Sequence, residues 1–241
     1  MGSEHMRVAI VTGAGSGVGR ACTLELATQG WAVVLIGRRA EALSETITQA
    51  APEAHPRLLA CPGDISDARA ADAASAAALE RFGRIDALVN AAGTNIPHRA
   101  LNELSWEDYH ATLGANLHGA FHCVQAVLPA MRQQRSGTIV NVNSEAGLRA
   151  SAKSGAAYVV SKFGLTGLTQ TINAEERSNG IRACSIFPGD IDTPLLDKRP
   201  EPPPPAARAR MMRAEDVAAC IVFALSLPAR AVVEELVVRP L

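Results

Sequence analysis

Short apolar runs alternate with longer stretches of helical periodicity along the chain. The runs are rich in Val, Ile, Leu and Ala, and they fall at 8–11, 32–36, 57–60, 87–89, 138–142, 182–186 and 235–238. The predicted helices between them cover 18–29, 40–51, 66–82, 105–133, 156–178 and 213–227. Strands that are apolar throughout indicate burial on both faces, as in a parallel sheet. The alternation predicts an α/β fold with one doubly wound sheet of about seven strands and helices on both faces.

Length and composition favour one soluble domain. No linker divides the 241 residues, so we predict a single domain over 1–241, with residues 1–5 resembling the remnant of a cloning tag. The 48% of hydrophobic residues are enough for a sizeable core. A net charge of −1 gives no sign of a surface for nucleic acid or an anionic membrane. Since no run could span a bilayer and no secretory signal is evident, we expect a cytoplasmic protein.

Several residue types that often mark special sites are given ordinary roles. The five scattered cysteines form no Cys-x-x-Cys pair, which predicts free thiols in a reducing compartment. His118 and His122 lie four residues apart, but no further ligand accompanies them, so we predict no metal site. We expect Trp31, Trp106 and Tyr109 to pack against other residues. Five prolines within 200–205 predict a stiff surface loop, which we interpret as a compact lid.

A glycine-rich turn follows the first predicted strand and leads directly into a predicted helix. It reads Thr12-Gly13-Ala14-Gly15-Ser16-Gly17-Val18-Gly19. Glycines allow a close approach to a pyrophosphate, and the helix N-terminus offers free N–H groups and a positive dipole end. The spacing differs from the commoner Gly-x-Gly-x-x-Gly, but the strand–turn–helix context predicts a dinucleotide site. The predicted cofactor residues of this turn are Gly13, Ser16, Gly17, Val18 and Gly19.

The end of the second predicted strand indicates which nicotinamide cofactor binds. An NAD enzyme usually has a carboxylate there for the ribose hydroxyl. This chain has Arg38 and Arg39 instead, and guanidinium groups suit a 2′-phosphate in charge and geometry. The pattern favours NADP. NAD stays possible, because a backbone or hydroxyl contact can also hold a ribose and the two arginines could simply be solvated.

Four polar residues form the predicted catalytic set. Tyr158 and Lys162 lie four apart on one helix face, where an ammonium would lower the pKa of the phenol and let it act as general acid or base. Ser144 follows the fifth predicted strand, where a hydroxyl can hold the substrate oxygen. Asn116 interrupts an apolar helix. It could bend that helix and hold a relay water, or it could cap a break near Gly119.

These motifs, taken in chain order, resemble the short-chain dehydrogenases/reductases of the short, non-extended type. Further motifs carry the resemblance: Asp64 after the third strand, Asn90-Ala91-Ala92-Gly93 after the fourth, and Phe187-Pro188-Gly189-x-x-x-Thr193 after the sixth. The resemblance implies a Rossmann-type fold in which Asp64 and Ile65 hold the adenine. It implies that Asn90, Ala91, Gly93, Pro188, Gly189, Ile191 and Thr193 border the cofactor, while Lys162 binds the nicotinamide ribose.

The resemblance also implies a reaction and an assembly. The expected reaction moves a hydride between NADP(H) and a small or medium alcohol or carbonyl compound, in a homotetramer or homodimer built through the helices near 105–133 and 156–178. The C-terminal segment from Glu215 resembles the branch with 3-hydroxy acid and serine dehydrogenases. An epimerase, a dehydratase or an NADP-sensing protein on the same fold remains an alternative.

One residue departs from the family pattern in a way that bears on the substrate. Glu145 directly follows Ser144, where a small or apolar residue is commoner. A carboxylate facing the pocket would disfavour acidic substrates and favour polar or cationic ones.

Overall fold

Seven parallel strands form one sheet in the computed structural model, which describes residues 5–241. The strands are β1 (Val8–Thr12), β2 (Ala32–Gly37), β3 (Leu58–Pro62), β4 (Ala87–Asn90), β5 (Gly137–Val142), β6 (Ile181–Pro188) and β7 (Glu235–Val238). Their order across the sheet is β3-β2-β1-β4-β5-β6-β7. The direction of winding reverses between β1 and β4, and this reversal opens a crevice at the carboxyl ends of those strands. The doubly wound prediction is confirmed; residues 1–4 of the suggested tag remnant lie outside the described part.

Helices cover both faces of this sheet. They are α1 (Gly17–Thr28), α2 (Ala40–Gln49), α3 (Ala68–Phe82), α4 (Trp106–Leu113), α5 (Gly119–Gln134), α6 (Ala156–Glu176), α7 (Pro205–Arg208) and α8 (Ala214–Ser226). Because successive strand residues point to opposite faces, Val11 joins the core under α1 and α8, whereas Ile10 joins the core under α3 and α5. No helix within 5–241 is long and apolar enough to cross a membrane.

The predicted helix over 105–133 is interrupted by a wider turn. A π-helical segment, Gly114–His118, joins α4 to α5 and contains Asn116. The Asn116 side chain is 1% exposed. Its Oδ1 accepts the Thr94 N–H at 2.7 Å, and its Nδ2 donates to the Thr94 carbonyl at 2.9 Å. Gly119 keeps right-handed helical angles, so the suggested cap near Gly119 is wrong and the chain remains helical through the π turn.

The proline-rich segment is a loop only in part. Pro200–Pro204 is not helical, but Pro205 begins the four-residue helix α7. Proline is tolerated at the first helical position, because its missing N–H would have no partner there and its φ suits a helix. The expectation of an entirely irregular loop is therefore wrong at its last residue.

Candidate active site

A cavity of about 820 Å³ lies in the crevice at the carboxyl ends of the central strands. Most of the predicted residues line it, which follows from their positions in loops after β1, β2, β4, β5 and β6. The predicted residues that line the cavity are Gly13, Ser16, Gly17, Val18, Arg38, Arg39, Ala91, Gly93, Ser144, Tyr158, Lys162, Pro188, Gly189, Ile191 and Thr193. The fold thus brings most of the predicted cofactor residues and three of the four predicted catalytic residues to one place.

Five predicted residues do not line the cavity: Gly19, Asp64, Ile65, Asn90 and Asn116. Asp64 Oδ1 accepts hydrogen bonds from the Ser66 N–H at 3.0 Å and hydroxyl at 2.9 Å. Ile65 is buried, and Asn90 Nδ2 donates to Asn141 Oδ1 at 2.9 Å. Asp64 thus contacts its own loop after β3, Ile65 packs in the core under α3 and α5, and Asn90 joins the end of β4 to the neighbouring strand β5.

The glycine turn provides a wall of main chain. Gly13 and Gly17 have φ of +66° and +51°, values that L side chains rarely adopt. A Cβ on Gly13 would lie 2.9 Å from the Ala92 backbone, and one on Gly19 would overlap the Gly13 carbonyl. The side chain of Ser16 does not cap α1. Free N–H groups at a helix N-terminus, reached through a glycine-rich turn, fit a pyrophosphate.

Two residues to which the sequence analysis gave no role hold this turn in place. Thr12 Oγ1 accepts the N–H groups of Ala91 and Ala92, both at 3.0 Å, and so joins the loops after β1 and β4. Arg20 donates to the Gly15 carbonyl at 2.6 Å and pairs with Glu45 at 3.1 Å. Their proximity to the glycine motif was the available signal, but Ala91, Ala92 and Glu45 are distant from it in sequence.

Arg38 and Arg39 lie at the edge of the cavity after β2. Both are exposed, and neither forms an ion pair with any carboxylate of residues 5–241. The nearby Glu45 is paired with Arg20. The two guanidinium groups are therefore available to an anionic group bound in the cavity.

The catalytic set combines a buried amine with a partly buried phenol. Lys162 is 3% exposed, and its Nζ donates to the Val142 carbonyl at 2.9 Å. That Nζ lies 5.6 Å from the centre of the Tyr158 ring. Burial lowers the pKa of the Lys162 amine to about 8. At pH 7 an amine with this pKa is still mostly protonated, so Lys162 keeps its positive charge there and loses it under mildly alkaline conditions.

The environment of Tyr158 differs from the expectation. We expected an ammonium at Lys162 to lower the pKa of the phenol, but burial raises that pKa above its ordinary value. A hydrogen bond with Ser144 and the positive charges of Arg199 and Arg99 oppose this rise. The charges that act on Tyr158 therefore come from two loop arginines that the sequence did not single out.

Asn116 reaches Tyr158 through a neighbouring residue of α6. Its Nδ2 also donates to Ser161 Oγ at 3.1 Å, and that hydroxyl donates to the Tyr158 carbonyl at 2.8 Å. The Asn116 side chain thus ties the loop at Thr94 to the helix that carries Tyr158. These contacts position the catalytic set, while the relay water stays a prediction.

The far end of the cavity is organised by Arg99. This side chain is 7% exposed, and its guanidinium donates to the carbonyls of Ile96 (2.7 Å), Lys153 (3.3 Å) and Lys198 (2.6 Å). Gly155, with φ of +77°, makes room for it, since a Cβ there would lie 2.5 Å from the Arg99 Cβ. One arginine therefore fastens the loops that follow β4, β5 and β6.

Glu145 does line the cavity, as considered above. Its carboxylate forms an ion pair with Arg239, which lines the cavity as well. The negative charge that would repel an acidic substrate is thus compensated inside the protein. Within residues 5–241, no cluster of three or more His, Cys, Asp and Glu side chains is arranged to hold a metal ion.

Comparison with known proteins agrees with this geometry. The family model for short chain dehydrogenase matches residues 7–203. A sepiapterin reductase of Chlorobaculum tepidum is 35% identical over 239 residues, covering 97% of this chain and 96% of the relative. The chain therefore shares close to the full length of a curated reductase.

Solved structures give the same result. The crystal structure of levodione reductase matches with a TM-score of 0.88 at 32% identity, covering 97% of this chain and 95% of that one. An alcohol dehydrogenase from the archaeon Thermococcus sibiricus, complexed with 5-hydroxy-NADP, matches at 0.86 and 28%, covering 98% and 97%. A 3-ketoacyl-(acyl-carrier-protein) reductase from Brucella melitensis, complexed with NADH, matches at 0.86 and 27%, covering 96% of each chain. This chain belongs to the short-chain dehydrogenase/reductase family of oxidoreductases.

Proposed function

We propose that the protein transfers a hydride between NADP(H) and a small or medium alcohol or carbonyl compound, with Tyr158 as general acid and base. The observation that carries the proposal is that Tyr158, Ser144 and Lys162 line the same cavity as the glycine turn. Residues 5–241 would act as one domain, because all seven strands of this range join one sheet.

The residues of this chain fit a dinucleotide cofactor. The glycine turn and the N-terminus of α1 would hold the pyrophosphate, and Lys162 would bind the nicotinamide ribose. Arg38 and Arg39 would bind the 2′-phosphate, since both have unpaired guanidinium groups at the cavity edge. Related structures hold either an NADP derivative or NADH, so the preference for NADP rests on these two arginines.

The nicotinamide, when bound, would supply or accept the hydride. In carbonyl reduction the Ser144 hydroxyl would hold the substrate oxygen, and Tyr158 would donate its proton to that oxygen while the carbonyl carbon gains the hydride. The raised pKa of Tyr158 keeps the phenol protonated near neutral pH, which suits this direction. In alcohol oxidation the same groups would act in reverse, with Tyr158 taking the hydroxyl proton.

We also propose a homodimer or homotetramer built through α4, α5 and α6. Trp106, expected to pack within the chain, is 78% exposed, and Phe121, Val160 and Phe163 are exposed on α5 and α6. Large apolar side chains on neighbouring helices are typical of an interface between subunits. Light scattering of the purified protein tests this assembly, and a monomer at micromolar concentration would refute it.

We also propose that the protein works in the reducing cytoplasm, because its five cysteines are free thiols.

The first experiment is a titration of the purified protein with NADPH and with NADH, followed by nicotinamide fluorescence. Tight binding of NADPH and much weaker binding of NADH is the expected result. Preference for NADH would overturn the cofactor assignment and leave the Tyr158 chemistry standing. Binding of neither cofactor would overturn the proposed function and would also count against the NADP-sensing alternative. A panel of ketones and aldehydes with the preferred cofactor then tests turnover.

A further inference from the structure

The cavity contains a buried cation with no partner of opposite charge. Arg99 is 7% exposed, and no carboxylate of residues 5–241 forms an ion pair with it. A guanidinium has five N–H donors, of which three are directed at carbonyl oxygens here. Neutral carbonyls satisfy donors but do not balance a charge, and buried charges are normally paired. The positive charge of Arg99 is therefore left without a counter-charge, and Arg99 lines the cavity in which an anion would bind.

The surrounding side chains extend this excess of positive charge. The charged residues that line the substrate end of the cavity are Arg99, Arg149, Lys153, Lys198, Arg199 and Arg239 on the basic side and Glu145 and Asp190 on the acidic side. Glu145 is paired with Arg239, and Asp190 is shared between Lys153 and Arg199, each at 2.7 Å. The acids are thus already neutralised, and the basic groups outnumber them.

Lys198 is in direct contact with Arg99 and adds a second basic side chain to this end of the cavity. Its Nζ donates to Thr94 Oγ1 at 2.8 Å, and its carbonyl accepts from Arg99. No acidic partner for this amine occurs among the described residues. Lys198 and Arg199 are consecutive, so both reach the cavity from the segment that follows β6.

These cations line the same cavity as the catalytic phenol. The positive charges of Arg199 and Arg99 also oppose the rise in the pKa of Tyr158. A substrate whose carbonyl or hydroxyl meets Tyr158 and Ser144 would therefore present its other substituent to Arg99, Arg199 and Lys198.

We propose that Arg99, Arg199 and Lys198 form a binding site for an oxyanion of the substrate, so that the enzyme acts on an anionic alcohol or ketone. The oxyanion is a carboxylate or a phosphate, both of which accept hydrogen bonds from guanidinium groups. This inference rests on the proposed function for the identity of the reacting group. It reverses the earlier expectation from Glu145 that cationic or neutral polar substrates are favoured.

The proposal is tested first by binding, which does not require turnover. Malonate and inorganic phosphate are titrated calorimetrically into the wild-type protein with saturating NADPH, which fills the site at Arg38 and Arg39. The same titrations use Arg199→Gln and a control, Arg210→Gln, whose exposed side chain does not line the cavity. Arg199→Gln is expected to fold, because Asp190 keeps its pairing with Lys153. Arg99→Gln is a poorer first variant, since its three carbonyl contacts hold the loops.

We expect one of the two anions to bind the wild type and the control alike, and to bind Arg199→Gln about tenfold more weakly, a change of about 1.4 kcal/mol. The anion that binds more tightly identifies the source as carboxylate or phosphate. Absence of binding in the wild type, or equal binding in all three proteins, would overturn the proposal.

Turnover gives the second test. Oxo acids of several chain lengths are compared with their methyl esters, each with NADPH, and we expect the acids to have the higher kcat/KM and to lose most of it in Arg199→Gln. Where malonate is the anion that binds more tightly, equal rates on acids and esters would refute the anion site. Where phosphate binds more tightly, a phosphorylated ketone and its unphosphorylated alcohol replace the acid and the ester in this comparison. Anion binding as expected, with no reduction of any compound, would refute the proposed function and leave the anion site standing.

Discussion

At the glycine-turn end of the cavity the wall is mainly main chain, whereas at the Arg99 end it consists of charged side chains from three loops. Gly13 and Gly17 present backbone to the cavity because no Cβ fits or suits their conformations. Arg99 instead reaches across the chain to Lys153 and Lys198, which are 54 and 99 residues away. The cofactor end is therefore formed by residues that are consecutive in sequence. The substrate end forms only when loops that are distant in sequence contact one another in the folded chain.

The largest expected effect separates chemistry from cofactor binding. Tyr158→Phe removes the proton donor, and we expect turnover to fall by about 10²- to 10⁴-fold, the usual contribution of general acid–base catalysis. The dissociation constant of NADPH should change little, because the glycine turn is untouched. Tyr109→Phe, at the other tyrosine of the chain, is the matched control for kcat. A Tyr158→Phe enzyme with most of its activity would show that another group carries the proton.

The next effect tests whether the cofactor end is rigid main chain. Gly19→Ala places a methyl group against the Gly13 carbonyl, so the turn must shift. We expect NADPH affinity to fall about 100-fold, or about 2.7 kcal/mol. Gly167→Ala in α6 is the control, since no atom lies within 4 Å of its added Cβ. Unchanged NADPH binding by Gly19→Ala would mean that the turn can shift to accommodate the methyl group. The cofactor end would then not be the rigid main-chain structure described above.

A smaller effect tests the charged edge of the cofactor end. Arg38→Ala removes one guanidinium from the predicted 2′-phosphate site, and we expect NADPH affinity to fall about tenfold, the loss of one charge-assisted hydrogen bond. Affinity for NADH, which lacks that phosphate, should stay within about twofold of the wild-type value. Arg230→Ala, an exposed arginine outside the cavity lining, serves as control. Equal losses for both cofactors would mean that Arg38 does not bind the phosphate.

The last prediction concerns stability instead of binding or turnover, and it depends on Lys162, at the border between the two ends. Its pKa is about 8 in the fold against an ordinary value of 10.5, so the unfolded chain binds more protons between these pH values. By linkage, the contribution of this amine to stability is present above about pH 10.5 and is lost as pH falls through about 8.

The variant Lys162→Met lacks the titrating amine, so it serves as the reference against which the pH dependence of the wild-type Tm is measured. The Tm of the wild type relative to this variant should therefore rise as pH increases from about 8 to 10. Thermal melts of the two proteins at matched pH values check the sign. A constant difference in Tm across this range would show that the amine is not desolvated in the fold.

Much of the fold and of the cofactor end could be predicted from the sequence. Apolar strands such as 32–36 and the strand–turn–helix at Gly13 to Gly19 are signals in consecutive residues, and consecutive residues adopt their conformation through local sterics and hydrogen bonds. Tyr158 and Lys162 were found for the same reason, because a spacing of four places both on one helix face. The exposure of Trp106 could not be predicted in this way, since burial depends on what packs against a helix.

The sequence by itself determined the doubly wound sheet, the glycine turn and the catalytic spacing, each of which needs only nearby residues. The tertiary structure alone decided that burial raises the pKa of Tyr158, that Asn116 sits in a π turn, and that Arg239 neutralises Glu145. It also decided that Arg99 lies buried among three loops, with no ion pair to any carboxylate in the described range 5–241. Desolvation and the pairing of charges depend on distances across the folded chain, and no local pattern encodes those distances.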